Sequence, residues 1–250
     1  MSALLVTLPA VAQEAAQSSA SQSAARGYAG ISFGSPVAFG ASWGNIGLGV
    51  YAQTIDNASE DYDGSAALVF GLGDPNRFIG IEAAVISSSL TDSRGSGDGF
   101  GEAGAMGFKI HTNLPDNAAI AIGVTGTGRF GGAADPGAGN SSSVYAVGTK
   151  VFSIGTDTFR RALVLNVGVG DNVFNDPAES GAGIFGSVAL FVTKQISLVG
   201  DYTGRFVNVG LSVAPLRSVP LTIVAGAINV TERYGFDTQT GVTVGYGIQF

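Results

Sequence analysis

Thr243 to Phe250, TVGYGIQF, is the stretch on which the reading of this chain turns. With Gly241 and Val242 before it, apolar and small or polar side chains alternate up to a terminal aromatic. Val242, Val244, Tyr246, Ile248 and Phe250 share one face of a strand, and Gly241, Thr243, Gly245, Gly247 and Gln249 the other. A half-apolar strand with an unpaired edge invites association. A strand that closes a barrel has no such edge, so a sealed sheet is the first expectation.

Composition agrees. Glycine accounts for 39 of 250 residues, and charged residues for 12%, against about 25% in ordinary globular proteins. Hydrophobic residues still make up 45%, and glycine follows no three-residue period, so neither disorder nor collagen fits. No apolar run is long enough for a membrane helix, whereas alternating barrel strands escape hydropathy plots. The chain has no cysteine, which gives no support to a disulfide framework or a thiolate metal site. A net charge of -7 without a basic patch argues against a nucleic-acid partner.

Outward from the C-terminal strand, the chain from Asn45 breaks into runs of alternating residues, the signature of barrel strands. They are Asn45 to Gln53, Ser65 to Leu72, Arg77 to Ser87, Phe100 to His111, Ala118 to Arg129 and Val144 to Phe152. Ala162 to Gly170, Ile184 to Thr193, Ile196 to Thr203, Arg205 to Ala214, Leu221 to Val230 and Gly241 to Phe250 complete twelve. The fold class expected is all-β, an antiparallel up-and-down transmembrane β-barrel. Connections alternate in length. Turns fall at Gly73 to Asn76, Thr112 to Asn117, Ser153 to Arg161, Thr193 to Gln195 and Pro215 to Val219. Longer loops fall at Asp56 to Gly64, Ser88 to Gly99, Gly131 to Ser143, Asp171 to Gly183 and Thr231 to Thr240, with a very short one at Gly204.

The rest divides into three. Residues 1–12 read as the remnant of a signal peptide: Leu4 to Val11 form a short apolar core, and Ala10-Val11-Ala12 fits an A-x-A cleavage site. The missing basic region points to a start codon further upstream. Residues 13–29 are rich in Ala, Ser and Gln and read as a disordered polar linker. Residues 30–44 alternate as a thirteenth strand would, but parity would then place the N-terminus outside. Pro36 also favours an irregular position. We therefore expect a periplasmic or lumen-inserted segment, followed by the barrel over 45–250.

The C-terminal spacing resembles the assembly signal of bacterial outer-membrane β-barrel (porin-like) proteins, with Thr243, Gly245, Ile248 and Phe250 in its polar, glycine and two apolar places. The resemblance implies an outer-membrane location, with outer-membrane lipid and the barrel assembly machinery as partners. Shorter pieces resemble other barrels. Asp201 to Gly204, Val209 to Ser212 and Leu221 to Gly226 are similar to exopolysaccharide-associated barrel proteins; Phe39 to Gly44 and Gly71 to Asn76 are similar to uncharacterised barrels of cyanobacterial type.

Aromatics near the inferred strand ends read as two interfacial girdles. Trp43, Phe78, Phe108, Phe152 and Phe250 lie on the periplasmic side, with Tyr51, Phe100, Phe130, Phe185, Tyr202 and Phe206 on the outer side. The long loops carry twelve acidic residues against Arg94 and Arg233, giving an acidic mouth. Lumen-lining candidates are Glu82, Lys109, Arg129, Lys150, Asn166, Asp201, Arg205 and Asn208, with His111 and Asn229. Glu102 breaks the pattern, and a bulge near Gly104 would reset it.

Chemical motifs are weak. Two G-x-S-x-G matches, around Ser32 and Ser42, lack the helix a nucleophile elbow needs. Gly126, Gly128 and Gly131 spell G-x-G-x-x-G, but no helix pattern follows. The lone His111 reads as structural. Asp56, Glu60, Asp61 and Asp63 are a weak Ca²⁺ candidate that departs from EF-hand spacing, and a solvated acidic loop is the plainer reading. No cofactor and no enzyme activity are expected. Small inward side chains suggest a narrow passive channel for small polar or anionic solutes, since Lys109, Arg129, Lys150 and Arg205 outnumber Glu82 and Asp201. The alternative is a non-conducting envelope structural or polysaccharide-export accessory barrel, its lumen plugged by residues 30–44. A soluble all-β domain is the third reading.

Overall fold

The computed structural model describes residues 28–57, 60–87, 103–134, 142–156, 159–216 and 218–250, with the backbone path alone for 55–57, 60–63, 159 and 160. Twelve antiparallel strands form one ring. They are β1 (Asn45–Asn57), β2 (Glu60–Gly73), β3 (Gly80–Ser87), β4 (Gly104–Leu114), β5 (Ala118–Phe130) and β6 (Ser143–Thr156), then β7 (Phe159–Asp171), β8 (Ala182–Thr193), β9 (Ile196–Tyr202), β10 (Val207–Val213), β11 (Leu221–Ile228) and β12 (Gln239–Gln249). Each pairs with the next, and β12 pairs back onto β1 from Asn45↔Gln249 to Gln53↔Gly241. The half-apolar C-terminal strand thus finds both its partners, and no edge of the ring is left unpaired.

Period-two alternation sorts the two faces. Ile122, Val167 and Ile184 are 59–63% exposed on the outside. Their strand neighbours Ala121, Asn166 and Phe185 are buried within. An exterior covered in large aliphatic side chains, around an interior rich in polar ones, inverts the usual arrangement of a water-soluble domain. In the last strand, Ile248 and Phe250 stand outside, and Thr243 and Gly245 are buried on the inner face. The Phe250 N–H donates to the Gly44 carbonyl at 2.9 Å, tying the chain end to the foot of β1.

Both ends of the wall, Asn45 and Phe250, lie at the end of the ring that carries the connections β2–β3, β4–β5, β6–β7, β8–β9 and β10–β11. We call it the short-turn end and the other the mouth. Several boundaries differ from the sequence reading. The expected loop Asp56 to Gly64 is instead a hairpin, because β1 runs to Asn57 and β2 begins at Glu60. The expected turn Ser153 to Arg161 is also a hairpin, since backbone pairing of β6 with β7 continues to Thr156↔Phe159. In both places inter-strand hydrogen bonds prolong the ladder through residues whose polarity suggested a loop. The register of β4 against β5 shifts between Gly104 and Met106 and again between Met106 and Phe108. That is where the misfit Glu102 called for a bulge, although Glu102 itself lies outside the described residues.

The outer girdle is corrected. Tyr51, Phe185 and Phe206 are at most 4% exposed and belong to the interior, and Phe100 lies outside the described residues. At the short-turn end Trp43, Phe78 and Phe250 are 71–78% exposed, as a girdle requires.

Candidate functional site

The interior is occupied by the chain itself. Residues 29–38 are all buried or half-buried, and the segment continues inside the ring to Ala41. It forms no strand. Its Gly, Ser and Pro residues let it bend, and its backbone groups, which must be satisfied when buried, bond to side chains of the wall.

The path is an inverted U. The rising arm starts at the short-turn end, where Ala29 N–H donates to the Lys194 carbonyl at 3.0 Å and Thr222 Oγ1 donates to the Tyr28 carbonyl at 2.9 Å. Gly30 is held twice: its N–H donates to Ser212 Oγ and its carbonyl accepts from Ser197 Oγ, both at 2.6 Å. Ser187 Oγ donates to the Ile31 carbonyl at 3.0 Å. At the apex, Asp201 Oδ2 accepts from Ser32 Oγ at 2.8 Å, Ser35 N–H at 3.1 Å and Phe33 N–H at 3.4 Å. Asn208 donates to its other oxygen at 3.4 Å. One carboxylate thereby gathers the turn of the U.

The descending arm meets different groups. Asn166 Nδ2 donates to the Pro36 carbonyl at 2.7 Å, and Ala38 N–H donates to Thr149 Oγ1 at 2.8 Å. Lys109 Nζ donates to the Phe39 carbonyl at 3.0 Å and pairs with Glu82 Oε1 at 3.0 Å, both side chains being about 95% buried. Glu82 Oε2 accepts from Ala41 N–H at 2.8 Å. His111 Nε2 lies 2.9 Å from the Ala41 carbonyl, which fixes Nε2 as the protonated ring nitrogen. Trp43 N–H donates to the Gly73 carbonyl at 2.9 Å before β1 begins. Gly71 faces this arm, where a Cβ would run into the Ser42 backbone.

Apolar packing fills the rest. Phe33 joins Tyr51, Val164, Val199, Val224 and Ile228, while Ala41 joins Ala67, Val69, Ala84 and Ile86. Ala38 belongs to the cluster that holds Tyr145, Phe174 and Phe185, and Phe39 packs against that cluster. Small inward residues do leave room in this barrel, and the segment takes it.

At the mouth, the β7–β8 loop turns inward and lays Phe174 against Phe185 and Tyr145, with ring centroids 4.6 and 5.6 Å away. Arg205 holds that loop through Nε to the Asn175 carbonyl and Nη2 to the Asn172 carbonyl, both at 2.7 Å. Gly204 sits at φ +93°, where a Cβ would meet the Phe174 carbonyl. Asp176 Oδ2 accepts from Tyr234 Oη at 2.8 Å and pairs with Arg233 Nη2 at 3.2 Å. The Ala178 N–H, then the Tyr234 hydroxyl, then Arg233 and Arg205 hold the Asp176 carboxyl below its usual range, against partial desolvation. Burial, then the bond to Asp176, pushes the Tyr234 phenol up to about 12. Asn172, Asn229, Glu232 and Tyr234 all adopt positive φ in these two loops. Glu232 and Tyr234 have no intrinsic preference for that conformation, so the latch holds local strain.

The eight lumen candidates therefore part company. Glu82, Lys109, Asn166, Asp201 and Asn208 face inward and are at most 5% exposed, the first four against the segment and Asn208 against Asp201. Arg129 stands beyond the shifted register of β5 with its Nη2 buried. Lys150 is corrected: it shares parity with the exposed Val144 and Phe152, and its Nζ donates to the Asp116 carbonyl at 2.6 Å outside the lumen. Arg205 is corrected too, because β10 begins at Val207 and Arg205 belongs to the mouth turn. The cations consequently form no ring. Of the weak metal candidates Asp56, Glu60, Asp61 and Asp63, the side chains lie outside the described residues, and among the described residues no three acidic or histidine side chains gather to hold an ion. Ser32, centre of the first G-x-S-x-G match, uses its hydroxyl to bond Asp201 and the Ser35 backbone.

Sequence reasoning missed the hydroxyls Thr149, Ser187, Ser197, Ser212 and Thr222. Their inward parity was legible, but a hydroxyl reads as a small wall residue until an acceptor or donor is opposite it. The latch of Asp176, Arg233 and Tyr234 joins two loops far apart in sequence and left no periodic trace. Comparison with known family models and with curated proteins finds no match to this chain.

Proposed function

We propose that this chain is an outer-membrane β-barrel closed by its own residues 29–44, a non-conducting component of the cell envelope. The observation that carries the reading is the set of bonds from β3, β4, β6, β7, β8, β9 and β10 to the backbone of one buried segment, with β11 holding Tyr28 at its start. A passive channel for polar or anionic solutes needs a continuous wet lining. Here the inward cation Lys109 is spent on Glu82 and on the segment.

Membrane insertion is supported by the aliphatic exterior, since a closed ring satisfies every wall amide without water. The rings of Trp43, Phe78 and Phe250 suit a headgroup layer. In this reading the short-turn end faces the periplasm, Thr243, Gly245, Ile248 and Phe250 address the assembly machinery, lipid is the surrounding partner, and no catalysis is assigned.

Planar-bilayer recordings test the closure. The intact chain is expected to give no conductance steps, and the variant lacking residues 30–44 to give them. Asp201→Ala, which frees the apex but keeps the segment, offers the same contrast in milder form if the deletion fails to assemble. Steps from the intact chain would overturn the reading. Heat-modifiable migration of protein extracted from outer membranes tests the location.

A further inference from the structure

The two arms of the U lean to opposite sides. Low in the barrel the rising arm bonds to β9, β10 and β11, and the descending arm to β3 and β4. The sector between them is formed by the short-turn halves of β6, β7 and β8. A cavity of about 720 Å³ fills it.

Its walls are Ile31, Val37 and Phe39 from the arms and Val151, Val164 and Phe191 from the strands. Val151 and Val164 are register partners, and Ala162 lies one pleat further toward the short-turn end. At that end the lining turns polar, with Asn117, Asp116 and the exposed Lys194, whose Nζ stands 6.0 Å from the centre of the Tyr28 ring. An apolar chamber with one polar, open end matches the usual size and make-up of a small-ligand site, about 300–1,000 Å³.

We infer that this chamber binds a single-chain amphiphile of the fatty-acid class, entering from the short-turn end with its anionic head beside Lys194. The shape selects one chain, because the cavity is bounded by β6, β7 and β8 on one side, by the two arms on another, and at the short-turn end by Asn113, Leu114 and Ala118 of the β4–β5 hairpin. The head is assigned by position: Lys194 is the cation among the lining residues, standing beside Tyr28, with the Asp116 carboxylate also in the lining and the Asp116 backbone carbonyl held by Lys150. The inference rests on the segment being seated, since Ile31, Val37 and Phe39 line the chamber.

The test uses the full chain in lipid nanodiscs with a long-chain fatty acid that carries a photoreactive diazirine, and maps the adducts by mass spectrometry. Labelling of Val151, Val164 and Phe191, competed away by palmitate, is the expected result, over the background on outward neighbours such as Leu165. Ala162→Phe fills the chamber and should reduce inner adducts to that background. Lys194→Glu should lower them by about fivefold, the scale of one exposed ion pair of about 1 kcal/mol. Adducts confined to outward residues, or inner adducts that palmitate does not displace, would overturn the site. The wild-type map decides even if neither variant folds. Conductance of the same preparation separates the two ideas: an open barrel undoes the closure reading, whereas a closed barrel without inner adducts undoes only the ligand.

Discussion

The rising and descending arms of the buried segment differ in how they are held. Tyr28 to Ile31 are met mainly by neutral hydroxyls, one each from β8, β9, β10 and β11, before the apex closes on Asp201. Pro36 to Ala41 are met by an amide, a hydroxyl, an imidazole and a buried ion pair. Neutral hydrogen bonds each contribute about 0.5–1.5 kcal/mol and can open singly, whereas breaking a buried pair strands a charge. The descending arm is therefore the anchor, and the rising arm is the part that can loosen without the rest.

The largest effect should come from breaking the anchor. Lys109→Met leaves Glu82 ionised in a dry interior and should cost about 3–5 kcal/mol in urea unfolding from detergent micelles. Pairing it with Glu82→Gln should restore most of the loss, because no lone charge remains. If the single and double variants are equally destabilised, the ion pair is not the anchor.

A smaller loss is expected at the apex, where Asp201→Ala removes the acceptor shared by the Ser32 hydroxyl, the Ser35 N–H and the Phe33 N–H; the first two still bond each other, so the cost should be about 1–3 kcal/mol, the scale of one unsatisfied buried group. Amide exchange should then accelerate at Ser35 while Ala38 and Ala41 stay protected. Equal acceleration in both arms would show that they move as one body. Ser212→Ala should cost about 1 kcal/mol, felt at the Gly30 amide and little beyond.

The smallest effect lies at the mouth. Tyr234→Phe deletes a donor that favours the ionised form of Asp176, so the carboxyl midpoint should rise toward the ordinary value of about 3.9, read by carbonyl NMR. The sign matters for pH. A carboxylate whose folded pKa is depressed adds stability above its unfolded pKa and loses it as pH falls through the folded one. The intact latch should thus survive neutral and mildly acidic conditions, then slacken below the usual Asp range. For the Tyr234 phenol, raised to about 12, the contribution is present below about 10 and fades as pH climbs through the folded value.

How much of this was written in the residues depends on what each pattern can encode. Alternation placed all twelve strands and the closing pair, because burying one face and exposing the other leaves a mark at every second residue. It also found Glu82, Lys109, Asn166, Asp201 and Asn208, since a charge or amide on an inward position is conspicuous among Gly, Ala, Ser and Thr. It misplaced Lys150, whose position near the end of an outward face lets a long side chain reach a turn carbonyl. Arg205 was misplaced because β10 starts two residues later than its apolar pattern suggested. Composition showed spare room in the lumen but not its occupant: the segment is irregular, and its partners are fixed by three-dimensional placement rather than by period.

The partners of residues 28–41 run from Glu82 to Thr222, as far as 194 residues along the chain. No partial wall can satisfy them all. A sheet lacking its last hairpins would leave several of those amides wet, and one with a stave too many or too few would set the carboxylate, the ammonium and the hydroxyls at the wrong circumference. The inner thread thus serves as a gauge against which the finished cylinder is measured.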